Sequence, residues 1–106
     1  MYRFRVFAVC LTLAAGSKLM HAAGDAAKGK DVFEQCSVCH NADSDEKKMG
    51  PGLKGLYKKD KLTSGKKPTD ATVTQKINEG GNGMPAYKDM LSDQEKTDLV
   101  AYLHTL

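Results

Sequence analysis

No arginine occurs after Arg5, no tryptophan occurs anywhere, and cysteine appears only three times in 106 residues. Several readings close at once. Cys10 falls inside an apolar leader, so only Cys36 and Cys39 serve the folded part, too few for a disulfide framework. No stretch alternates apolar and polar residues over strand length, which argues against a sheet. No apolar run reaches the roughly 18 residues that a membrane-spanning helix needs. The formal net charge of +3 is local in origin, because Arg3, Arg5 and Lys18 lie in the first 23 residues, which hold no acid. Beyond them, 13 lysines balance 13 acids. The basic composition therefore does not argue for nucleic-acid binding.

What is present begins with the leader. Met1–Arg5 is basic, Val6–Ala15 is apolar, and Ser17–Ala23 ends in small residues before Gly24. That is the three-part anatomy of a secretory signal, with cleavage expected after Ala23 or within a residue or two of it. Val9 precedes Cys10 where a lipoprotein anchor would want a small residue. Residues 1–23 are thus read as a cleaved signal, and residues 24–106 as one domain, periplasmic, monomeric and not membrane-spanning after cleavage. So small a domain buries only about 60% of its unfolded surface and benefits from a non-protein core.

Cys36-Ser37-Val38-Cys39-His40 supplies the candidate for that core. C-x-x-C-H is an attachment signature for c-type haem. Two thiols three residues apart on a helical turn project to one side and can add across the two haem vinyl groups. His40 then lies where its imidazole can reach the iron. Zinc, a thioredoxin-like dithiol and a disulfide remain as alternatives. Zinc would want four ligands, for which only His104 is left, and a dithiol would want a βαβ setting. Asn82-Gly83-Met84-Pro85 brings a thioether some forty residues later, and a His/Met pair raises the reduction potential of a haem. Glycines at 80, 81 and 83 favour Met84 as the ligand by letting the backbone come close. Met90, six residues on, is the competitor; Met49 has no such setting.

The chain reads as all-α. Residues 26–38 form a first helix with Asp25 as its N-cap. Its Gly29 costs about 1 kcal/mol relative to alanine and so requires a packing reason. Gly50-Pro51-Gly52 is a turn, followed by a short helical stretch through Leu53, Leu56 and Tyr57. Residues 58–68 form a lysine-rich loop. Thr69 caps a helix to Glu79, which Gly80-Gly81 stops. Ser92 and Glu95 make a capping box for the last helix. Its stripe is Leu99, Tyr102, Leu103 and Leu106, with His104 on the opposite face and so a poor iron ligand.

Taken in order, Gly29, Phe33, the motif at 36–40, Gly50-Pro51 with Leu53 and Gly55, Asn82-Gly83-Met84-Pro85 and the Leu99/Tyr102 helix resemble a small bacterial class I cytochrome c. The resemblance spans residues 24–106. It implies a cytochrome c-like fold, three to four helices wrapped around one covalently attached haem c. It also implies a near-perpendicular crossing of first and last helices at Gly29, Phe33, Leu99 and Tyr102. Cys36 and Cys39 would carry the thioethers, with His40 the proximal and Met84 the distal iron ligand. Pro51 would offer its backbone carbonyl to His40, fixing the ring and its tautomer. The chain departs from larger relatives in lacking the Trp and Arg that hold a haem propionate. Tyr57, Tyr87, Asn82, Lys54, Lys58 and backbone N–H groups are left for that task.

The expected function is one-electron transfer in the periplasm. A dedicated subunit of a dehydrogenase or oxidase complex is the alternative. A peroxidase or ligand sensor would need an open sixth site with distal His or Arg, and only His104 is on offer. Lys47 to Lys67 holds eight lysines and one acid, Asp60. Two readings stand for it: a solvated loop face, or a docking surface for redox partners with acidic surfaces.

Overall fold

The computed structural model describes residues 24–106, and the expected signal at 1–23 lies outside them. Asp25 starts the first helix, α1 (Ala26–Phe33), by accepting from the N–H groups of Ala27 at 2.9 Å and Lys28 at 3.2 Å. This helix stops five residues short of the expected 26–38. Beyond Phe33 the pairing tightens: Cys36 N–H donates to Phe33 O at 2.7 Å and Cys39 N–H to Cys36 O at 3.1 Å. Bonds spanning three residues replace part of the helical ladder there, so 34–39 runs as successive turns.

A single 3₁₀ turn, Leu56–Lys58, stands where a short helical stretch is expected. The second helix, α2 (Asp70–Glu79), is capped by Thr69, and Thr72 closes a reciprocal box with it. The third, α3 (Asp93–Leu103), carries the expected Ser92/Glu95 box. Among the described residues, extended pairing is limited to an isolated bridge between Gly81 and Met84. The fold is all-α. No helix among them is long and apolar enough to cross a membrane.

Helices α1 and α3 make the principal helix contact. Gly29 is buried at their closest approach, where a Cβ would meet the backbone carbonyl of Asp98 and lie 2.8 Å from Tyr102 Cβ. A mid-helix glycine is retained because any side chain would push the helices apart. Next to it, the Phe33 and Tyr102 rings pack at 5.3 Å, tilted by 53°. Leu99 is the most enclosed side chain, 1% exposed. Asp98 closes the same junction: its buried carboxylate accepts from the Asp25 N–H at 2.8 Å and from Gln94 Nε2 at 2.9 Å. Phe33, Leu56, Val73, Ile77, Leu99 and Leu103 thereby share one core. It is hollow on one side.

Candidate cofactor site

The hollow is an open cavity of about 530 Å³. Three segments bring its chemical groups together. From the turns after α1 come Cys36, Cys39 and His40; from the following loop, Gly50 and Pro51; from the loop after α2, Gly81 to Met84. Phe33, Leu56, Val73, Ile77, Leu99 and Leu103 form its apolar floor. Cys36 and Cys39 are not joined to each other in a disulfide. Burial, then the neighbouring Cys39, pushes the Cys36 thiol above its ordinary pKa.

His40 is held from several directions. Its Nδ1 lies 2.8 Å from Pro51 O, so an N–H there donates to the carbonyl and leaves Nε2 as the free nitrogen. Gly50 backs the ring: a Cβ at that position would fall 2.5 Å from Cε1 and 2.8 Å from Nδ1. The Gly50 N–H in turn donates to Cys39 O at 2.8 Å, tying this support to the cysteine turn.

Met84 is half-buried on a loop of unusual backbone. Gly80, Gly81, Asn82 and Gly83 all have positive φ, at 61°, 112°, 53° and 91°. Three are glycine and the fourth is asparagine, the residue type that tolerates this region best. Close approach to a ligand is not the whole reason for these glycines. A Cβ on Gly80 would strike the carbonyls of Met84 and Pro85 in its own loop, while Gly83 faces open space. Met90 is 64% exposed and does not line the cavity; Met49 is 81% exposed, at its mouth.

The charge in the cavity is one-sided. Lys47, Lys59, Lys61 and Lys76 line it, and among the described residues no carboxylate does. An apolar hollow with four ammonium groups, two thiols, an imidazole and a thioether fits a large, flat, dianionic group such as haem. A bare metal ion fits poorly, because no three His, Cys, Asp or Glu side chains are gathered for one among the described residues.

A family model described as cytochrome c matches residues 26–106. The chain belongs to the cytochrome c family. It is 35% identical over 82 residues to cytochrome c6 of Synechocystis, a match covering 76% of this chain and 65% of that protein. Against cytochrome c2 of Blastochloris viridis it is 32% identical over 110 residues, covering 88% and 87%. The solved cytochrome c6 of the diatom Phaeodactylum tricornutum superposes with a TM-score of 0.59 at 28% identity, over 77% of this chain and 93% of that one. A covalently attached haem c is accordingly the cofactor, and electron transport rather than enzymatic turnover is the chemistry of this cytochrome.

Of the groups expected near a propionate, Tyr87 and Asn82 line the cavity, whereas Tyr57, Lys54 and Lys58 do not. Tyr57 instead stacks on His104 at 3.6 Å, and His104 Nε2 lies 2.6 Å from Asp70 Oδ1. That places His104 in a surface linkage away from the cavity. The backing role of Gly50 was not legible beforehand. A glycine before proline signals only a turn, and the ring it supports lies ten residues earlier.

Proposed function

We propose that this cytochrome is an exported electron carrier whose haem is bound by Cys36 and Cys39 and ligated by His40 and Met84. One observation carries the reading: all four side chains line a single cavity, and His40 Nδ1 is already engaged by Pro51 O. When bound, the haem iron supplies reversible one-electron chemistry between its ferrous and ferric states. The protein's part is to hold two dissimilar ligands in place. The Pro51 carbonyl orients the imidazole and increases its basicity. The Met84 thioether would be the second ligand to the iron and would favour its ferrous state. Two fixed ligands keep geometric change on electron transfer small.

Export through a signal at residues 1–23, cleaved near Ala23, fits a cofactor attached outside the cytoplasm. Redox partners with acidic surfaces would meet the mouth of the cavity. Of the eight lysines between 47 and 67, Lys47, Lys59 and Lys61 line it. Lys59 is tied to Gly52 O at 3.0 Å, which leaves Lys47 and Lys61; of these, Lys47 stands two residues from the exposed Met49 and is the docking cation of this reading. The test is a reduced-minus-oxidised spectrum of the exported protein together with its pyridine haemochrome. Covalent haem and the weak near-infrared sulfur-to-iron band are expected. A haem extractable by acidic solvent, or a missing near-infrared band, overturns the ligand set.

A further inference from the structure

Haem carries its vinyl groups and its two propionates on opposite edges of one flat ring. With Cys36 and Cys39 on the vinyl edge, the propionates turn to the wall away from those sulfurs. We propose that Lys61, together with the hydroxyls of Thr63 and Ser64, forms the propionate-binding site of this chain. The inference rests on the attachment reading above.

The four cavity lysines differ in where they come from and what already holds them. Lys59 Nζ donates to Gly52 O at 3.0 Å and lies 3.9 Å from Asp45 Oδ1, which commits it to the His40 side. Lys76 Nζ donates to Gly80 O at 3.0 Å, on the Met84 side. Lys47 belongs to a segment bound to the cysteine turn, through Gly50 N–H to Cys39 O at 2.8 Å and Lys48 Nζ to Ser37 O at 3.2 Å. Lys61 comes from none of these walls. Among the described residues neither its ammonium nor that of Lys47 has a hydrogen-bond or ion-pair partner, so Lys61 is set apart from Lys47 by the segment it stands on. The hydroxyls of Thr63 and Ser64, which line the cavity beside it, are likewise unpartnered among the described residues.

These donors stand on a built turn. Leu62 N–H donates to Lys66 O at 2.7 Å, and Gly65 N–H donates back to Leu62 O at 2.8 Å. Gly65 has φ 84°, and Leu62 packs against the core. The turn therefore carries an ammonium and two hydroxyls, all on exposed residues, along the lining of the open cavity. A propionate offers only acceptors at neutral pH, and bonds from an ammonium to a carboxylate are among the stronger hydrogen bonds. In a chain with neither tryptophan nor arginine beyond residue 5, this lysine and its hydroxyl neighbours take over the task.

The test uses the exported holoprotein carrying haem labelled with ¹³C at the propionate carboxyls, read by redox-difference infrared spectroscopy. Lys61→Gln should move the labelled carboxylate bands, Ser64→Ala should move them less, and Lys61→Arg should restore them. Lys47→Gln should leave them in place. Loss of the cation should also raise the ferric-to-ferrous ratio at fixed ambient potential by about threefold. Bands indifferent to both Lys61→Gln and Ser64→Ala, or moved by Lys47→Gln instead, overturn the proposal. Covalent haem content measured on the same samples separates the two readings. A wild type without covalent haem overturns the attachment, whereas full attachment with indifferent bands overturns only the propionate site.

Discussion

His40 and Met84 face the same cavity from walls of different construction. The His40 wall is redundant: a 2.8 Å contact to Pro51 O, Gly50 packed behind the ring, and backbone bonds joining Gly50 to Cys39. The Met84 wall is a short loop with an isolated bridge between Gly81 and Met84, a Lys76 Nζ bond to Gly80 O at 3.0 Å, and four successive residues at positive φ. One side fixes a ring by contact from several directions. The other fixes a flexible thioether by leaving its backbone few conformations to choose from. Disturbing a wall that is held redundantly should strain the fold, while disturbing the loop should change the chemistry and leave most of the fold standing.

The largest effect removes what both walls face. Residues 24–106 produced in a cytoplasm without haem attachment should be largely unfolded, because the cavity of about 530 Å³ sits within the only sizeable core of the described residues. A compact haem-free chain with native helix content by circular dichroism would contradict that, and would remove the ground for comparing the two walls.

Met84→Ala comes next. The haem should stay attached through Cys36 and Cys39, the reduction potential should fall, and carbon monoxide or cyanide should bind readily. Truncation of this half-buried side chain should also cost about 2 kcal/mol of stability in a denaturant titration. If Met90→Ala rather than Met84→Ala abolishes the near-infrared band, the loop at 80–85 is not the ligand wall.

Gly50→Ala probes the opposite wall. Its new Cβ would crowd the imidazole, so unfolding free energy should drop by about 1–3 kcal/mol while the sixth ligand stays bound. A variant as stable as the parent, with an unchanged haem spectrum, would mean that the ring has room to move and that the His40 wall is less tightly held than its contacts indicate.

The smallest effect is at the mouth. Lys47→Glu should slow electron transfer to an acidic partner at low salt and leave the potential nearly unchanged. The difference should fade as ionic strength rises, because screening acts over about 8 Å at physiological salt. Lys58→Glu, at a residue that does not line the cavity, should matter less. Stopped-flow rates equally sensitive at both positions would return the lysine-rich segment to a general solvated face.

The sequence by itself determined where the helices start, their N-caps and the order of the reactive groups, because these depend on neighbours a few residues apart. It did not set the end of the first helix, which stops at Phe33 where tighter turns take over. Asp25, Thr69 and Ser92 cap the helices that their side chains announce, and C-x-x-C-H needs only one turn to present its thiols. Gly29 could be read as a demand for close packing, since a mid-helix glycine is otherwise a loss. What met it there, the Asp98 carbonyl and the Tyr102 side chain, came from the far end of the chain. The tertiary structure alone decided that Gly50 backs His40, that His104 joins Tyr57 and Asp70, and that Lys47, Lys59, Lys61 and Lys76 line the cavity while Lys54 and Lys58 do not. Lysines in an irregular loop have no period that assigns a side to them. Their sides are set only when Leu56 and Leu62 pack against the common core and carry the intervening chain around the cavity.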